Sequence, residues 1–238
     1  MTGETPVREQ LSRIIGRGEL VKVCGLREPE HAVAAVEAGA DLIGFIFAPA
    51  RRQVSAAVAR SCVEAARAAA AGRTVIAVGV FVDASLEHVE AIVEEAGLDA
   101  VQLHGVEPPD SIGSLPVPAF KALRPSPEFT RVQVLAEIKR YQTVVTPPMA
   151  ILIDGYAPDA MGGSGTRADW TLAAEIKSVA PIILAGGLDP ENIRNAIRRV
   201  RPRGVDVSSG VEVDGVKDPE LIAQFVRVAR EAFQDEVN

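Results

Sequence analysis

Two side chains able to exchange protons close short apolar runs: Cys24 ends Leu20-Val21-Lys22-Val23-Cys24, and Asp154 ends Ala150-Ile151-Leu152-Ile153-Asp154. Each admits two readings. An isolated cysteine is commonly a small buried hydrophobe, which is the reading that fits Cys62 in its helical run beside Val63 and Ala65. Cys24 differs because Lys22 precedes it by two residues, on the same face of an extended strand, where an ammonium can hold a thiolate able to move a proton. Asp154 is either a site carboxylate or a cap for the loop that follows, and the site is favoured because other polar residues converge on its face. Arg51 and Arg52 form either a solvated pair or a pair with one member turned inward as a bidentate anchor for an anionic group.

Glycines cluster in Gly186-Gly187, in Ser208-Ser209-Gly210 and in Gly162-Gly163-Ser164-Gly165. Without a Cβ, backbone N–H groups can approach a phosphate closely, and a following helix N-terminus adds a favourable dipole. Each pair alone also serves as an ordinary turn; their recurrence after successive late strands favours a phosphate site.

The elements that must position these residues are runs rich in Val, Ile and Leu that alternate with amphipathic stretches, the pattern of buried parallel strands joined by helices. Strands are expected at Leu20 to Cys24, Leu42 to Phe47, Ile76 to Val82, Ala100 to Leu103, Ala119 to Leu123, Ala150 to Asp154, Ile182 to Ala185 and Val205 to Val207. Helical spacing recurs after Ser85, after Asp189-Pro190 and after Asp218-Pro219, and the alternation is expected to run unbroken. Pro125 to Pro148 is expected to hold one helix near Val132 to Tyr141. Eight units of roughly 30 residues fit a single α/β domain spanning 1–238, a closed (β/α)8 TIM barrel. Residues 1–19 read as an N-terminal extension forming a short helix under the barrel. The competing open sheet usually carries G-x-G-x-x-G after its first strand, whereas this chain has Cys24-Gly25-Leu26.

In such a barrel the loops after the strands' C-terminal ends carry the chemistry. Lys22, one of Arg51 and Arg52, His104 and Asp206 are therefore expected to bind substrate, Gly163, Gly186, Gly187, Ser208 and Gly210 to bind phosphate, and Cys24 and Asp154 to be catalytic. A net charge of -7 with no basic run argues against nucleic acid. Two cysteines are too few for a disulfide framework, and no run reaches the ~18 apolar residues of a membrane span, so a cytoplasmic protein without membrane contact is expected. His31, His88 and His104 lack metal-ligand spacing, so no metal is expected. A homo-oligomer is compatible with this reading.

Together the motifs resemble the phosphoribosylanthranilate isomerases of tryptophan biosynthesis. They are Val21 to Leu26, Gly44 to Phe47 leading to Arg52-Gln53-Val54-Ser55, Val78 to Val82, Val101-Gln102-Leu103-His104-Gly105, Gly162 to Thr166 with Asp169-Trp170, Gly186 to Asn192 and Val205 to Glu212. The resemblance runs from Val21 onward, with the motifs in family order. It implies an Amadori rearrangement of a phosphosugar without metal or cofactor, with Cys24 as general base, Asp154 as general acid and Arg52 binding the anthranilate carboxylate. The chain departs from the family in its longer N-terminal extension, a second loop about one residue shorter, and Gln53 where an aromatic often stands. Alternatives are another phosphosugar barrel enzyme, or a barrel that binds a phosphosugar without catalysis, which would need neither Cys24 nor Asp154.

Overall fold

A computed structural model describes residues 6–156 and 166–237. Eight parallel strands close into a barrel in sequence order: β1 (Leu20–Cys24), β2 (Leu42–Ile46), β3 (Ile76–Phe81), β4 (Ala100–Leu103), β5 (Ala119–Leu123), β6 (Ile151–Ile153), β7 (Ile182–Leu184) and β8 (Gly204–Val207). Closure pairs β8 with β1, setting Lys22 opposite Asp206. The expected fold is the one found. β4 and β5 fall where expected, as does β1, and the other strands differ at their ends by one residue.

The helices are α1 (Val7–Arg17), α2 (Pro29–Glu37), α3 (Ala56–Ala69), α4 (Leu86–Ala96), α5 (Arg131–Gln142), α6 (Trp170–Ile176), α7 (Ile193–Val200) and α8 (Pro219–Val237). Local chemistry starts several of them: the Ser55, Ser85 and Asp169 side chains accept backbone N–H groups, and Thr130 and Gln133 cap each other reciprocally.

The alternation does break once. Between β4 and β5 the chain forms a 3₁₀ turn, Pro109–Ser114, where an α-helix was expected. Pro108, Pro109, Pro116 and Pro118, with Gly113, leave too few unbroken residues for an α-helix. A polar cluster fills the space instead. Lys121, pointing out of the barrel, donates to the Leu103 and Gly105 carbonyls and to Glu107 at 2.8 Å, while the Tyr141 hydroxyl donates to the Glu107 carbonyl.

Alternation along the strands sorts two hydrophobic clusters. The larger lies between barrel and helices; the smaller lines the barrel interior with Leu20, Leu42, Ile76, Phe120, Leu152 and Ile183. Leu11 and Ile15 of α1 join the inner cluster, so α1 covers the floor at the strands' N-terminal ends.

Candidate active site

The inward-facing residues change character toward the strands' C-terminal ends. Lys22, Cys24, Gln102, His104 and Asp206 are all buried there, and Asp154 is nearly so. The Lys22 ammonium lies 2.9 Å from Asp206 Oδ2. Burial pulls Lys22 down, but the charge and hydrogen bond of Asp206, with Cys24 beside it, outweigh it and hold the ammonium above its ordinary value. Burial pushes Asp206 upward despite Lys22, and it pushes the Cys24 thiol upward too. One cation cannot neutralise two buried anions. The short contact assigns Lys22 to the Asp206 carboxylate, and Cys24 rests as a thiol. Room for its sulfur comes from Gly44 on β2, where a Cβ would stand 2.7 Å from Cys24 Sγ.

Across the barrel, the Gln102 side-chain amide nitrogen stands 2.9 Å from His104 Nδ1. With the amide donating, Nδ1 accepts and the ring proton sits on Nε2. Nε2 lies 3.2 Å from Asp154 Oδ2, within ion-pair distance but off the line of a hydrogen bond. Asp154 Oδ1 accepts the Gly155 backbone N–H at 2.7 Å. His104 Nε2 and Asp206 Oδ1 are thus buried polar atoms without hydrogen-bond partners among the described residues. Such atoms are costly unless something else satisfies them, and both face the barrel interior.

Of the two arginines, Arg52 is buried and Arg51 exposed. Arg52 crosses the end of β1 over Gly25, whose φ of 76° and missing side chain admit it: a Cβ there would meet Arg52 Cδ at 2.7 Å. Its guanidinium donates twice to Glu212, from Nε at 2.5 Å and Nη2 at 2.9 Å. Glu212 also receives Arg51 Nη2 at 2.7 Å and Lys217 Nζ at 2.9 Å. Burial raises the Glu212 carboxyl, but Arg52 and Lys217 overcome this and lower it to about 2. Glu212 and Lys217 were not anticipated as site residues. They lie on a small hairpin, β9 (Glu212–Val213) and β10 (Val216–Lys217), whose turn residues Asp214 and Gly215 have φ of 51° and 81°. Asp-Gly between two short apolar runs is a hairpin signal that could have located it.

The late glycines bring three loops together. A Cβ on Gly186 would stand 2.4 Å from the Gly155 nitrogen and 2.9 Å from Asp154 Oδ1, and one on Gly210 would stand 1.9 Å from the Leu188 carbonyl oxygen. Gly187 has φ of 61°, and its carbonyl accepts Asn192 Nδ2. The Ser208 hydroxyl is committed to the Cys24 carbonyl at 3.1 Å, and the Ser208 carbonyl accepts Lys217. Gly163, with Gly162, Ser164 and Gly165, lies outside the described residues.

Residues 21–228 match the family model described as N-(5'phosphoribosyl)anthranilate (PRA) isomerase. The chain belongs to the N-(5'-phosphoribosyl)anthranilate isomerase family. A relative from Roseiflexus castenholzii bearing that family name is 44% identical over 216 residues, covering 90% of this chain and 99% of its own. The solved phosphoribosyl anthranilate isomerase of Thermotoga maritima aligns with a TM-score of 0.74 and 35% identity, covering 89% of this chain and 98% of that one. Another solved phosphoribosyl anthranilate isomerase, 34% identical with a TM-score of 0.72 over 89% of this chain and 98% of its own, is in complex with reduced 1-(o-carboxyphenylamino)-1-deoxyribulose 5-phosphate. Isomerase relatives account for nearly all of the chain after α1, which precedes the matched residues. Among the described residues no group of three His, Cys, Asp or Glu side chains could hold a metal ion, and no helix is long and apolar enough to cross a membrane.

Proposed function

We propose that this family member, acting in the cytoplasm as one barrel domain over 1–238, converts N-(5-phosphoribosyl)anthranilate into the corresponding 1-deoxyribulose 5-phosphate with Cys24 as base and Asp154 as acid. The observation that carries the assignment is the meeting, at one mouth, of a thiol beside an ammonium, a carboxyl at the opposite wall, and two unpartnered buried polar atoms.

Ring opening requires a proton on the furanose oxygen, which Asp154 donates as a carboxylic acid. Opening leaves an iminium ion whose positive nitrogen acidifies the C2 proton. Cys24 thiolate takes that proton, and the resulting enolamine tautomerises to the ketone by gaining a proton at C1 and losing the hydroxyl proton at C2. A thiol and a carboxylate hold the same number of protons as a thiolate and a carboxylic acid. Moving one proton from Cys24 to Asp154 therefore creates base and acid together, and the Lys22 charge beside Sγ favours the thiolate formed.

The other residues hold the substrate. Asp206 Oδ1 accepts a sugar hydroxyl or the anilino N–H, and His104 Nε2 donates to a substrate oxygen, which satisfies both unpartnered atoms. The backbone amides around Gly186, Gly187 and Gly210 bind the phosphate, with Gly163 contributing from the sixth loop. Ser208 supports this loop through its bond to β1, and Arg52 meets the carboxylate of the aromatic ring.

The test is the anthranilate fluorescence change on adding the protein to freshly prepared phosphoribosylanthranilate. Rapid conversion, slowed about 10²- to 10⁴-fold in Cys24→Ala and in Asp154→Asn, is expected. Saturable binding without turnover would leave a binding barrel in place of an enzyme.

A further inference from the structure

On the outer side of the barrel wall, the buried pair Lys121 and Glu107 takes no part in the proton transfers. It closes around the backbone of His104 instead. The peptide joining Leu103 to His104 has its carbonyl bonded by the Lys121 ammonium at 3.3 Å and its N–H bonded to the Phe81 carbonyl at 2.8 Å. The next N–H, that of Gly105, goes to both Glu107 oxygens, at 2.9 and 3.1 Å. The Gly105 carbonyl accepts Lys121 at 2.7 Å, and the Val106 N–H is held by the Asp83 carboxylate at 2.7 Å. Glu107 completes the circuit by accepting Lys121 at 2.8 Å and the Asp83 N–H at 3.0 Å, which ties the loop to the end of β3. The three ammonium protons are thus all committed.

We propose that Lys121 is a positioning residue for His104, holding that residue's backbone so that its Nε2–H meets a substrate oxygen beside Asp154. The inference rests on the reading of His104 as a substrate donor. Gln102 fixes which ring nitrogen carries the proton, and Lys121 fixes where that nitrogen stands. The two carbonyls that Lys121 bonds belong to the residues on either side of His104, so the ammonium grips the chain across the residue it serves.

A buried ion pair adds little stability over apolar side chains of similar volume, because desolvation offsets the attraction, so its presence here has another reason. Directional bonds supply one. Between β4 and β5 the chain has the 3₁₀ turn Pro109–Ser114 in place of an α-helix, which leaves the end of β4 to be fixed by side chains. The loop also has little room to slide: a Cβ on Gly105 would meet the Asp83 carboxylate, and Asp83 itself holds a φ of 48°. His104 Nε2 lies 3.2 Å from Asp154 Oδ2. A backbone shift of about 1 Å would move this donor off its target, and misplacement on that scale can cost about a hundredfold in rate.

The experiment is a double-mutant cycle on kcat/KM, taken per folded molecule from the fluorescence assay, with Lys121→Met and His104→Ala. Lys121→Met keeps the stem and removes the ammonium. Because it leaves Glu107 buried without its cation, the charge-free pair Lys121→Met/Glu107→Gln is made beside it. His104→Ala should lower kcat/KM about tenfold or more. Either brace variant should lower it about tenfold in the wild-type background and change nothing further in the His104→Ala background. The ring reports the same event by a second route: the imidazole nitrogen-15 resonances of His104, those of a single tautomer in wild type, should broaden or average in the brace variants. A brace variant that costs as much without His104 as with it acts through the fold at large and overturns the proposal. So does a folded brace variant with the turnover and ring resonances of wild type. Near-normal turnover in His104→Ala overturns the donor reading, and the brace falls with it.

Discussion

Leu20 and Cys24 lie on one strand, four residues apart, and face the same barrel interior, yet their surroundings are opposites. Around Leu20 the interior is closed by Leu42, Ile76 and the α1 side chains Leu11 and Ile15, a floor of apolar atoms. Around Cys24 it holds Lys22, Asp206 and the Gln102–His104–Asp154 row, with two polar atoms unsatisfied. The lesson is a division of labour along each strand: the N-terminal half contributes burial that stabilises the barrel, and this tolerates the desolvation costs carried by the C-terminal half.

The strongest way to break this comparison is at its polar end. Cys24→Ala and Asp154→Asn should each lower turnover by about 10² to 10⁴, typical for loss of a positioned proton-transfer group, while the denaturant midpoint stays near wild type. A substrate deuterated at C2 separates the two roles: the isotope effect should grow in Cys24→Ser and not in Asp154→Asn. Near-normal turnover in Cys24→Ala would assign the thiol to packing.

At the other end of the same strand, Leu20→Ala should cost about 2–5 kcal/mol of stability, the range for truncating a fully buried leucine. Turnover per folded molecule should change little. Leu11→Ala on α1 belongs to the same class. If Leu20→Ala instead cut kcat as deeply as Cys24→Ala with stability intact, the division along the strand would be wrong.

The comparison also explains what the sequence disclosed. Strands were legible because both barrel faces are buried, so each reads as an apolar run, and the polar residues that interrupt those runs, Lys22, Gln102 and Asp206, stand out against them. The break between β4 and β5 was harder to see. It depends on prolines distributed over a loop, and on Lys121, whose outward direction is fixed only by strand register. Glu212 escaped for a different reason: its meaning comes from Arg52, 160 residues away in sequence and joined to it only by barrel closure. Its hairpin was visible locally as Asp214-Gly215, but nothing local names the residue it faces.

A smaller effect sharpens the polar end further. Arg52→Ala should weaken binding of the reduced carboxylated analogue by roughly tenfold to a hundredfold more than Arg51→Ala, because the first guanidinium is buried and fixed while the second is solvated. Titration calorimetry measures both, and equal losses would show that either arginine can serve.

The smallest effect is on stability, and it follows from the charges on Glu212. Its carboxyl is lowered from an ordinary 4.5 to about 2 in the folded protein, so the folded state holds the ionised form more strongly than the unfolded chain does. A lowered carboxyl contributes stability that is fully present above the unfolded value and disappears as pH falls through the folded value. The contribution of Glu212 should therefore be intact above pH about 4.5 and fade between there and about 2. Other paired carboxylates act in the same window, Glu107 among them, held below its usual range because Lys121 outweighs the opposing effect of burial. The informative quantity is thus the difference between wild type and Glu212→Gln. Urea midpoints taken down this range should fall more steeply for wild type, and the two curves should converge toward pH 2, where wild-type Glu212 is itself becoming neutral. Parallel curves would mean that Arg52 and Lys217 hold the carboxylate no more tightly in the folded barrel than water does in the unfolded chain. The polar end would then lose its claim to a fixed, ionised carboxylate at Glu212.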